Sequence, residues 1–395
     1  MSESSRRILT INTGSSSLRA GLYDVGQDEH LLVSAEADRL GTAEGQLQIA
    51  DAEGRSPGGE PVPVHDHAEA LRAFVDWLRE RASDRAPDAV AHRVVHGGRE
   101  FTEPRRIDDA LMAALARLVQ VAPDHLPQAI AAIRAAGEAF PQLTQVACFD
   151  TAFHRRMPLV AQRYPLPREL EADGVVRYGF HGLSYEFVLR ELRRLAPAEA
   201  SGSVIIAHLG NGASMAAVRD GVSVDTTMGF SPTGGLMMGT RSGDLDPGVL
   251  LYLLQAEGQT AGTLNMLLNH QAGLLGVSGS SADMRTLLEH EKDSPRAAAA
   301  VELFCYTARK YLGALCAVLG GIETLVFTAG IGEHAAPVRS RICAGLEFLG
   351  LRLDTARNNA HAPVISSDDS RVTVRVIQTD ENRMIARHAY HLLYA

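Results

Sequence analysis

Two short stretches of the chain combine glycine, asparagine and serine in a way that suits anion binding. Residues 205–221, IIAHLGNGASMAAVRDG, read as two apolar strands joined by a corner with almost no side chains. Residues 8–24, ILTINTGSSSLRAGLYD, have the same design. Successive backbone N–H groups in such a corner can face an anion, and serine hydroxyls add donors without bulk. Ordinary hairpin turns with Asn-Gly chemistry are the alternative interpretation.

A third glycine-rich stretch, FTAGIGEH, carries Gly330 and Gly332 directly after a buried Val- and Phe-rich strand. A corner between a strand and a helix is where α/β folds bind nucleotides. Glycines at this corner would let a flat adenosine lie against the backbone. Three such corners in one chain indicate a site for a nucleotide with a polyphosphate tail.

Charged side chains stand among apolar and glycine residues at three places. Arg93 (AHRVVHGG) and Arg241 (MMGTRSGDLDP) are poorly placed for a solvated face, and the planar guanidinium suits a carboxylate or a phosphate. Structural ion pairs with Asp244 or Asp246 are the alternative. Asp150 ends an apolar strand, where a carboxylate can serve as general base, metal anchor or helix cap.

Two histidines, His181 (YGFHGLS) and His208 (AHLGNG), adjoin glycine turns. A catalytic and a structural role are both open for each of them. No histidine or cysteine cluster has the spacing of a zinc site. Mg²⁺, held by carboxylates and phosphates, fits the residue types better.

The elements that would position these residues alternate between strands and helices, so the pattern predicts an α/β fold. Each half opens with a strand pair and a glycine corner, which suggests two related lobes with a cleft between them; a common hairpin signal that recurs by chance is the alternative. The predicted strands are 8–24 (a pair), 88–98, 145–154, 204–224 (a pair), 323–334 running into a glycine turn, and 372–382. The predicted helices are 66–83, 108–121, 128–139, 246–257, 296–319 and a closing helix to Tyr394, and 50–63 reads as exposed turns.

Composition excludes several classes of function. The 395 residues carry a net charge of −9, which argues against nucleic acid or an anionic membrane as partner. The chain shows no signal peptide and no apolar run of membrane-spanning length. The four cysteines lie in apolar contexts without C-x-x-C spacing, so we expect buried thiols and a cytoplasmic location. Lysine occurs only twice and a P-loop is absent, so phosphate binding must use arginine, backbone amides or a metal.

Taken together, the motifs resemble those of the acetate kinases, in the same order and along the whole chain. They are INTGSSS, RVVHGG, FDTAFH, YGFHGLS, HLGNGAS, DTTMGFSPTGGLMMGTRSGDLDPG, SADMR, GIGEH and TDEN. The resemblance implies two ribonuclease-H-like lobes of the actin and Hsp70 type around an ATP cleft. It implies an N-terminal lobe at 1–152, closed by a C-terminal helix at 383–395, and a nucleotide-binding lobe at 153–382. It also implies a homodimer.

The resemblance further implies reversible, ATP-dependent phosphorylation of a short carboxylate, most simply acetate, to an acyl phosphate. Asn12 and Glu381 would position Mg²⁺ or Mn²⁺. Arg93 and Arg241 would hold the carboxylate and the phosphoryl group, and Asp150 would be the essential acid at the acyl end. His181 would stabilise the phosphoryl group. Nucleotide contacts would come from Arg19, His208, Leu209, Gly210, Asn211, Gly212, Asp283, Met284, Arg285, Gly330, Ile331, Gly332 and His334.

The chain departs from the family pattern at the acyl pocket. Val95, Phe180 and Pro232 keep the apolar wall, but Asp124 in APDHLPQ replaces the leucine that faces the acyl methyl group. Its carboxylate would turn to solvent or His125, or else accept a hydrogen bond from a substrate hydroxyl. Further departures are Arg19 for lysine, Met284 for an aromatic residue and His334 for asparagine.

Two alternatives to acetate phosphorylation stay open. Within the family, the acceptor would be propionate or a hydroxylated small acid. In a different class, the chain would be a nucleotide-binding regulatory protein without transfer activity. The presence of acyl-end residues such as Arg93 and Asp150 argues against a pure binding protein, which has no use for them.

Overall fold

A computed structural model describes residues 5–14, 16–56, 59–81 and 86–395 and shows two β-sheets with helices packed against them. By its internal contacts the chain divides into a first unit, Met1–Ala152 with Asp380–Ala395, and a second unit, Phe153–Thr379. Some predictions fall partly outside the described residues. These are the signal-peptide prediction at residues 1–4, Ser15 of the first corner, 57–58 of the turn-rich segment and 82–83 of the first helix.

The strands of the first unit are β1 (Arg6–Thr13), β2 (Leu18–Val25), β3 (Glu29–Asp38), β4 (Gln46–Asp51), β5 (Val62–Pro63), β6 (Ala89–Val94), β7 (Arg105–Arg106) and β8 (Thr144–Phe149). Those of the second unit are β9 (Ser203–Leu209), β10 (Ala213–Arg219), β11 (Val222–Thr226), β12 (Thr324–Thr328) and β13 (Thr373–Val376).

The α-helices are α1 (His67–Arg81), α2 (Asp109–Leu118), α3 (Leu126–Ala139), α4 (Leu159–Gln162), α5 (Arg168–Ala172), α6 (Gly182–Leu195), α7 (Pro197–Ala200), α8 (Pro247–Gln255), α9 (Ala261–Met266), α10 (Gly273–Ser278), α11 (Met284–His290), α12 (Pro295–Leu319), α13 (Ala329–His334), α14 (Ala336–Cys343), α15 (Thr355–Asn359) and α16 (Glu381–Tyr394). Among the helices of the described residues, none combines the length and the apolar composition that crossing a bilayer requires.

The two sheets share one five-strand plan. In the first, the order β3-β2-β1-β6-β8 has antiparallel pairs up to β1 and parallel pairs after it. In the second, β11-β10-β9-β12-β13 repeats both the order and the directions. The predicted α/β fold with two related β-turn-β openings is confirmed.

Burial on both faces explains why the central strands are apolar without strict alternation. The last six residues of β1 are all buried, as are all five of β12. In the first unit, α1 places Phe74 and Leu78 in the core beneath the sheet. In the second, α6 buries Val188 and Leu192 against β9 and β10. The rigid sheets therefore fix the strand ends that carry the candidate site residues.

Several predicted elements differ from the structure. The stretch 323–334 does not end in a glycine turn, because β12 stops at Thr328 and Gly330 and Gly332 belong to helix α13. Ala329 makes the turn instead, with φ +63°, and its N–H donates to the Glu333 carboxylate at 2.8 Å. The predicted strand 372–382 is also too long, since β13 ends at Val376 and α16 begins at Glu381.

Two buried histidines make the folded chain sensitive to acid. Burial lowers the pKa of His92 from 6.5 to about 4, although its Nε2 atom lies 2.7 Å from Gln145 Oε1. Burial lowers the pKa of His154 to about 4 as well. Between these values and 6.5 the unfolded chain binds protons that the folded chain does not, so stability falls as the pH falls.

We expect the thermal unfolding temperature to drop between pH 6.5 and 4.5, and to drop less in a His92→Gln variant. Each buried histidine contributes up to about 1.4 kcal/mol of lost stability per pH unit in this window. Calorimetry of both proteins across the pH range measures the difference. An identical pH dependence in the variant would show that His92 is not held neutral in the folded chain.

Candidate active site

Three neighbouring strands of the first unit bring three site residues together. Asn12 lies near the end of β1, Arg93 lies in β6, and Asp150 follows β8 directly. Since β6 pairs in parallel with both β1 and β8, the ends of the three strands meet at one edge of the sheet. The backbone N–H of Asp150 donates to the Val94 carbonyl at 3.1 Å, which continues the β6–β8 ladder to the carboxylate.

Arg93 donates hydrogen bonds to side-chain oxygens of Asp150 and Asn12. Its Nη2 atom donates to Asp150 Oδ2 at 2.6 Å, and its Nε atom lies 3.1 Å from Asp150 Oδ1. Its Nη1 atom donates to Asn12 Oδ1 at 3.1 Å. Because several bonds leave the planar guanidinium no rotational freedom, Arg93 is oriented before any ligand arrives.

The cluster is buried and strongly coupled. The Asp150 side chain is fully buried and that of Arg93 is 14% exposed. Burial alone lowers the pKa of Arg93, but the Asp150 and Glu381 carboxylates outweigh it and raise the pKa above its ordinary value. Arg93 is therefore a permanent cation in a site largely shielded from water, where its field acts on a bound anion with little screening.

Glu381 joins the cluster from the first turn of α16. Its Oε2 atom accepts from Asn12 Nδ2 at 2.8 Å and lies 3.9 Å from Arg93 Nε. Asp380 caps the helix by accepting from the Arg383 N–H at 2.9 Å, and burial raises the pKa of Asp380. The buried Glu29 also pairs with α16 through Arg383 at 3.1 Å. These contacts fix the helix end that presents Glu381.

In the second unit, two histidines form a stacked pair. The rings of His181 and His208 lie 4.0 Å apart at 20°. His208 is the penultimate residue of β9, and its Nδ1 atom lies 2.8 Å from Ser184 Oγ. His181 precedes α6 in a left-handed conformation, φ +58°, which a non-glycine residue rarely adopts. Such a backbone at a candidate site indicates that the surrounding structure holds the ring in place.

The corner between β9 and β10, residues 210–212, has few side-chain atoms, as the sequence predicts, and is called the bare corner below. Gly210 N–H donates to the Gly212 carbonyl at 3.0 Å, and Gly239 N–H donates to the Asn211 carbonyl at 3.0 Å. A Cβ atom on Gly212 would lie 3.2 Å from His181 Nε2 and 3.7 Å from Arg241 Nη1. A side chain at this position would crowd the point where an imidazole, a guanidinium and backbone amides converge, a set that suits phosphate oxygens.

Arg241 shares its loop with the two aspartates considered as its structural partners. The Nη1 atom of Arg241 donates to the Pro232 carbonyl at 3.2 Å. Asp244 accepts from the Gly235 N–H at 2.7 Å and from the Tyr311 hydroxyl. Asp246 caps α8 through the Gly248 N–H at 2.6 Å. The aspartates serve the loop and the helix, and the guanidinium lies at the glycine corner.

A cavity of about 580 Å³ lies beside this corner within the second unit, a usual size for a small-molecule site. Asp283 caps α11 through the Thr286 N–H at 2.8 Å, and Met284 lies buried at its first turn. Eight of the predicted nucleotide residues line this cavity, namely Gly210, Asn211, Asp283, Met284, Arg285, Gly330, Ile331 and His334.

Other predicted nucleotide residues lie elsewhere. His208, Leu209, Gly212 and Gly332 belong to the second unit but are not among the residues that line the cavity. Arg19 belongs to the first unit, where its exposed side chain pairs with Glu36 at 3.1 Å. The nucleotide role of these five residues, like that of the eight in the cavity wall, stays a prediction.

Sequence reasoning missed part of the cavity wall. Leu288 and Glu289 line it one helical turn after Met284 and Arg285, so helical periodicity from the SADMR motif could have found them. Arg339 has no such signal. It is fully buried, and its Nη1 atom donates to the Gly332 and Glu333 carbonyls at 2.9 and 2.8 Å, which anchors the helix that lines the cavity.

The four predicted acyl-pocket residues are divided between the units. Val95, which follows β6, is buried, and Asp124, which lies just before α3, is half-buried. In the second unit, Phe180 and Pro232 are both buried. Their shared role stays a prediction. Over the residues that the structure describes, no group of three or more His, Cys, Asp or Glu side chains has the arrangement of a metal site.

Gly330 offers a clean test of the cavity. A Cβ atom at this position would contact nothing within 4 Å, so Gly330→Ala should leave the fold intact. If adenosine lies against this backbone, the methyl group takes its place, and we expect KM for ATP to rise about tenfold. Steady-state kinetics with varied ATP measures the change.

Gly313→Ala is the matched control for this substitution. Gly313 is also helical, and a Cβ atom there would contact nothing within 4 Å. This variant should leave KM for ATP unchanged. Equal KM values in the Gly330→Ala variant and the wild-type chain would remove Gly330 from the nucleotide site.

Known proteins resemble the chain along its whole length. The sequence profile described as the Acetokinase family matches residues 7–387. The acetate kinase of Methylocella silvestris is 46% identical over 98% of both chains, and the propionate kinase of Citrobacter rodentium is 42% identical over 99% of this chain and 98% of its own.

Solved structures agree with the sequence comparison. The crystal structure of Porphyromonas gingivalis acetate kinase matches with a TM-score of 0.86 and 36% identity, over 98% of this chain and 100% of its own. That of a Francisella tularensis propionate kinase matches with a TM-score of 0.89 and 34% identity, over 97% and 98%. Both comparisons span the two sheets and the candidate site residues. The chain therefore belongs to the acetokinase family.

Proposed function

We propose that the chain is an acetate kinase that transfers the γ-phosphoryl group of ATP reversibly to acetate, giving acetyl phosphate and ADP. The observation that carries the proposal is the buried cluster in which Arg93 is fixed by Asp150 and Asn12. A protein that only binds nucleotide has no need for a preoriented cation there. Family membership across residues 7–387 supports the same activity.

The chemical difficulty of this reaction is the approach of two anions. A carboxylate is already a nucleophile at neutral pH, so no base has to remove a proton. The barrier comes from repulsion between the carboxylate and the phosphate and from charge spread over the transferring group. Arg93 and Arg241 would neutralise that charge with planar donors that match both anions. His181 would donate to a phosphoryl oxygen.

Asp150 is in our proposal an orienting group rather than a base. Both of its oxygens accept hydrogen bonds from Arg93, at 3.1 and 2.6 Å. A carboxylate used in this way has little remaining capacity to take a proton, and the acceptor substrate has none to give. Its contribution is to hold the guanidinium plane in the direction from which an anion can bind.

The nucleotide would lie with its adenosine in the cavity lined by Met284 and Gly330 and with its phosphates toward the bare corner at Gly212. Within the described residues, the N–H groups of Asn211 and Gly212 have no acceptor, which suits them to phosphate oxygens. The departures Met284 and His334 lie in the cavity wall, where they would contact the base.

In our proposal, Asn12 and Glu381 would position a magnesium ion. The Glu381 carboxylate offers the oxygen donors that Mg²⁺ prefers, and Asn12 Nδ2 orients it by donating to Glu381 Oε2 at 2.8 Å, while Asn12 Oδ1 accepts from Arg93 Nη1 at 3.1 Å. Mg²⁺ usually takes only one or two protein ligands and completes its shell with water and substrate phosphates. When bound, the ion would neutralise part of the phosphate charge. Mn²⁺ accepts the same donors.

Asp124 bears on which short carboxylic acid the protein phosphorylates. An ionised carboxylate facing the substrate methyl group would be costly, so we propose that it faces away and leaves acetate as the substrate. A propionate kinase among the relatives keeps the larger acid as the alternative. A hydroxylated acid is favoured if the carboxylate faces inward.

We expect Asp124→Leu to leave the ratios of kcat/KM for acetate, propionate and glycolate unchanged. If the carboxylate instead points at the substrate, an unpaired acceptor would penalise acetate against glycolate by about 1–3 kcal/mol. Acyl phosphate formation with MgATP and each acid, in both proteins, gives the ratios. A change in the ratios would contradict the outward orientation, and no product with any acid would contradict the kinase activity.

We further propose a homodimer in the cytoplasm. Helix α8 contributes no buried residue and exposes Val249, Leu251, Tyr252 and Leu254, which is the surface expected where a second copy packs. The four cysteines are buried thiols, as in a reducing compartment. Sedimentation of the purified chain as a monomer at micromolar concentration would contradict the dimer.

A further inference from the structure

Two hydroxyl groups stand in line behind the imidazole of His181. Its Nδ1 atom lies 2.8 Å from Ser214 Oγ, and that oxygen in turn bonds to the hydroxyl of Tyr185. Ser214 and Tyr185 both have 0% relative exposure. The three groups must therefore satisfy one another's hydrogen bonds inside the protein.

The direction of these hydrogen bonds follows from the last member. Of the described residues, Ser214 is the one hydrogen-bond partner of the Tyr185 hydroxyl. Burial raises the pKa of Tyr185, so the phenol keeps its proton and must donate it to Ser214. The Ser214 hydroxyl then donates its hydrogen bond to Nδ1 of His181. Nδ1 is an acceptor, and the ring proton of the neutral imidazole lies on Nε2.

The protonated nitrogen faces the bare corner. A Cβ atom on Gly212 would lie 3.2 Å from His181 Nε2, and Arg241 Nη1 lies near the same point at 3.7 Å. The ring thus presents a donor, rather than a lone pair, where Arg241 presents a guanidinium. Both donors suit the oxygens of one anion.

The neighbouring histidine favours a neutral ring. His208 stacks on His181 at 4.0 Å, so protonation of both rings would place two like charges in contact beside the Arg241 guanidinium. The hydrogen bonds behind His208 differ from those behind His181. Ser184 Oγ bonds at 2.8 Å to Thr379 Oγ1, and Thr379 is half-buried and within reach of solvent. Of these two rows of hydrogen bonds, the one behind His181 ends in a fully buried donor, the Tyr185 hydroxyl.

We propose that Ser214 and Tyr185 are positioning residues that hold His181 as the neutral imidazole with its proton on Nε2, directed at a phosphoryl oxygen. The tautomer is inferred from the hydrogen bonds behind the ring. Its use in phosphoryl transfer rests on the proposed function. Two separate readouts are therefore needed, one for the proton and one for the rate.

The position of the proton is read by NMR of the full chain labelled with ¹⁵N-histidine, at about pH 8, where histidine is ordinarily neutral. A His181→Gln variant identifies the His181 signals. We expect a protonated Nε2 and an unprotonated Nδ1 in the wild-type chain. In Tyr185→Phe, Ser214 becomes free to accept from Nδ1, and the population of the minor tautomer should rise about fivefold. Ser214→Ala should act in the same direction.

Thr379→Val is the matched control, since it removes the hydroxyl at the end of the hydrogen bonds that run from His208 through Ser184. It should leave the His181 signals unchanged. The rate readout is kcat for acyl phosphate formation, which should fall by about threefold to tenfold in Tyr185→Phe with KM for acetate and ATP nearly constant. A purely structural effect would move the unfolding temperature and both KM values instead.

A proton on Nδ1 in the wild-type chain would overturn the proposal, as would an unchanged tautomer in both Tyr185→Phe and Ser214→Ala. A shifted tautomer with unchanged kcat would overturn the positioning role. If the wild-type chain carries the Nε2 proton but forms no acyl phosphate, the tautomer assignment is supported and the proposed function fails. If Tyr185→Phe does not fold, Ser214→Ala decides both readouts.

Discussion

Replacing Arg241 by alanine is expected to lower kcat for acyl phosphate formation by on the order of 100-fold or more. The guanidinium lies at the bare corner near Gly212 and His181 Nε2, where charge would develop on the transferring group. The alanine variant loses this charge where water cannot replace it fully. Stopped-time assays with saturating ATP and acetate measure kcat directly.

Two further variants separate the role of Arg241 from a loss of structure. Arg241→Lys keeps the charge but loses the planar fork, so its kcat should fall between those of wild type and Arg241→Ala. Arg352→Ala removes an exposed arginine paired with Asp369 and should leave kcat within about twofold. A kcat near wild type in a folded Arg241→Ala variant would remove Arg241 from the reaction.

Asp150→Asn is expected to lower kcat by on the order of 100-fold as well. The amide has nearly the shape of the carboxylate but cannot accept both hydrogen bonds from Arg93 as an anion. Arg93 is then a buried cation whose nearest carboxylate is Glu381, at 3.9 Å. Breaking a buried ion pair in this way also destabilises the fold by about 3–5 kcal/mol, so the unfolding temperature should fall together with kcat.

Asp369→Asn is the matched control for this variant. Asp369 forms an exposed ion pair with Arg352 at 2.8 Å, and such pairs contribute about 0–1 kcal/mol. Its kcat and unfolding temperature should stay close to wild type. If Asp150→Asn behaves like Asp369→Asn, the buried pair neither orients Arg93 for catalysis nor stabilises the first unit.

Local sequence signals were sufficient for the strand pairs and the glycine corners. Strands β1 and β9 are apolar runs at the predicted places, and the glycine corner after β9 lies where the pattern predicts it. Strand β4, QLQIAD, extends into the segment 50–63 that the sequence predicts as exposed turns. Strand β3 is not predicted either, because EHLLVSAEAD mixes alanine and glutamate with apolar residues. Its pairing with β2 is a tertiary contact that outweighs local propensity.

The partners of the site residues could not be read from the sequence. Arg93 and Asp150 are 57 positions apart, and Asn12 and Glu381 are 369 apart. Each residue alone fitted two or three roles, and only the sheet brings the oxygen atoms to the guanidinium. The motif resemblance identified the residues themselves. Ser214 ends the HLGNGAS motif and Tyr185 follows YGFHGLS, but the sequence assigns neither a role, because their contacts behind His181 depend on the packing of α6 against β10.

Helix α13 shows how a residue can line the predicted cavity for a different structural reason than expected. Gly330 was expected in a glycine turn, whereas it lies in a helix and Ala329 makes the turn with φ +63°. The open space over Gly330 still leaves the backbone accessible from the cavity. Glycine therefore marks a close approach here and not a special backbone angle.

The central claim is that this chain joins a carboxylate to the γ-phosphoryl group of ATP. The most direct measurement incubates the wild-type chain with MgATP and acetate and traps the product with hydroxylamine, while ADP is measured in the same samples. We expect acetyl hydroxamate and ADP in equal amounts, both dependent on acetate and abolished by a chelator. ADP without hydroxamate, or neither product above a sample that lacks the protein, would contradict it.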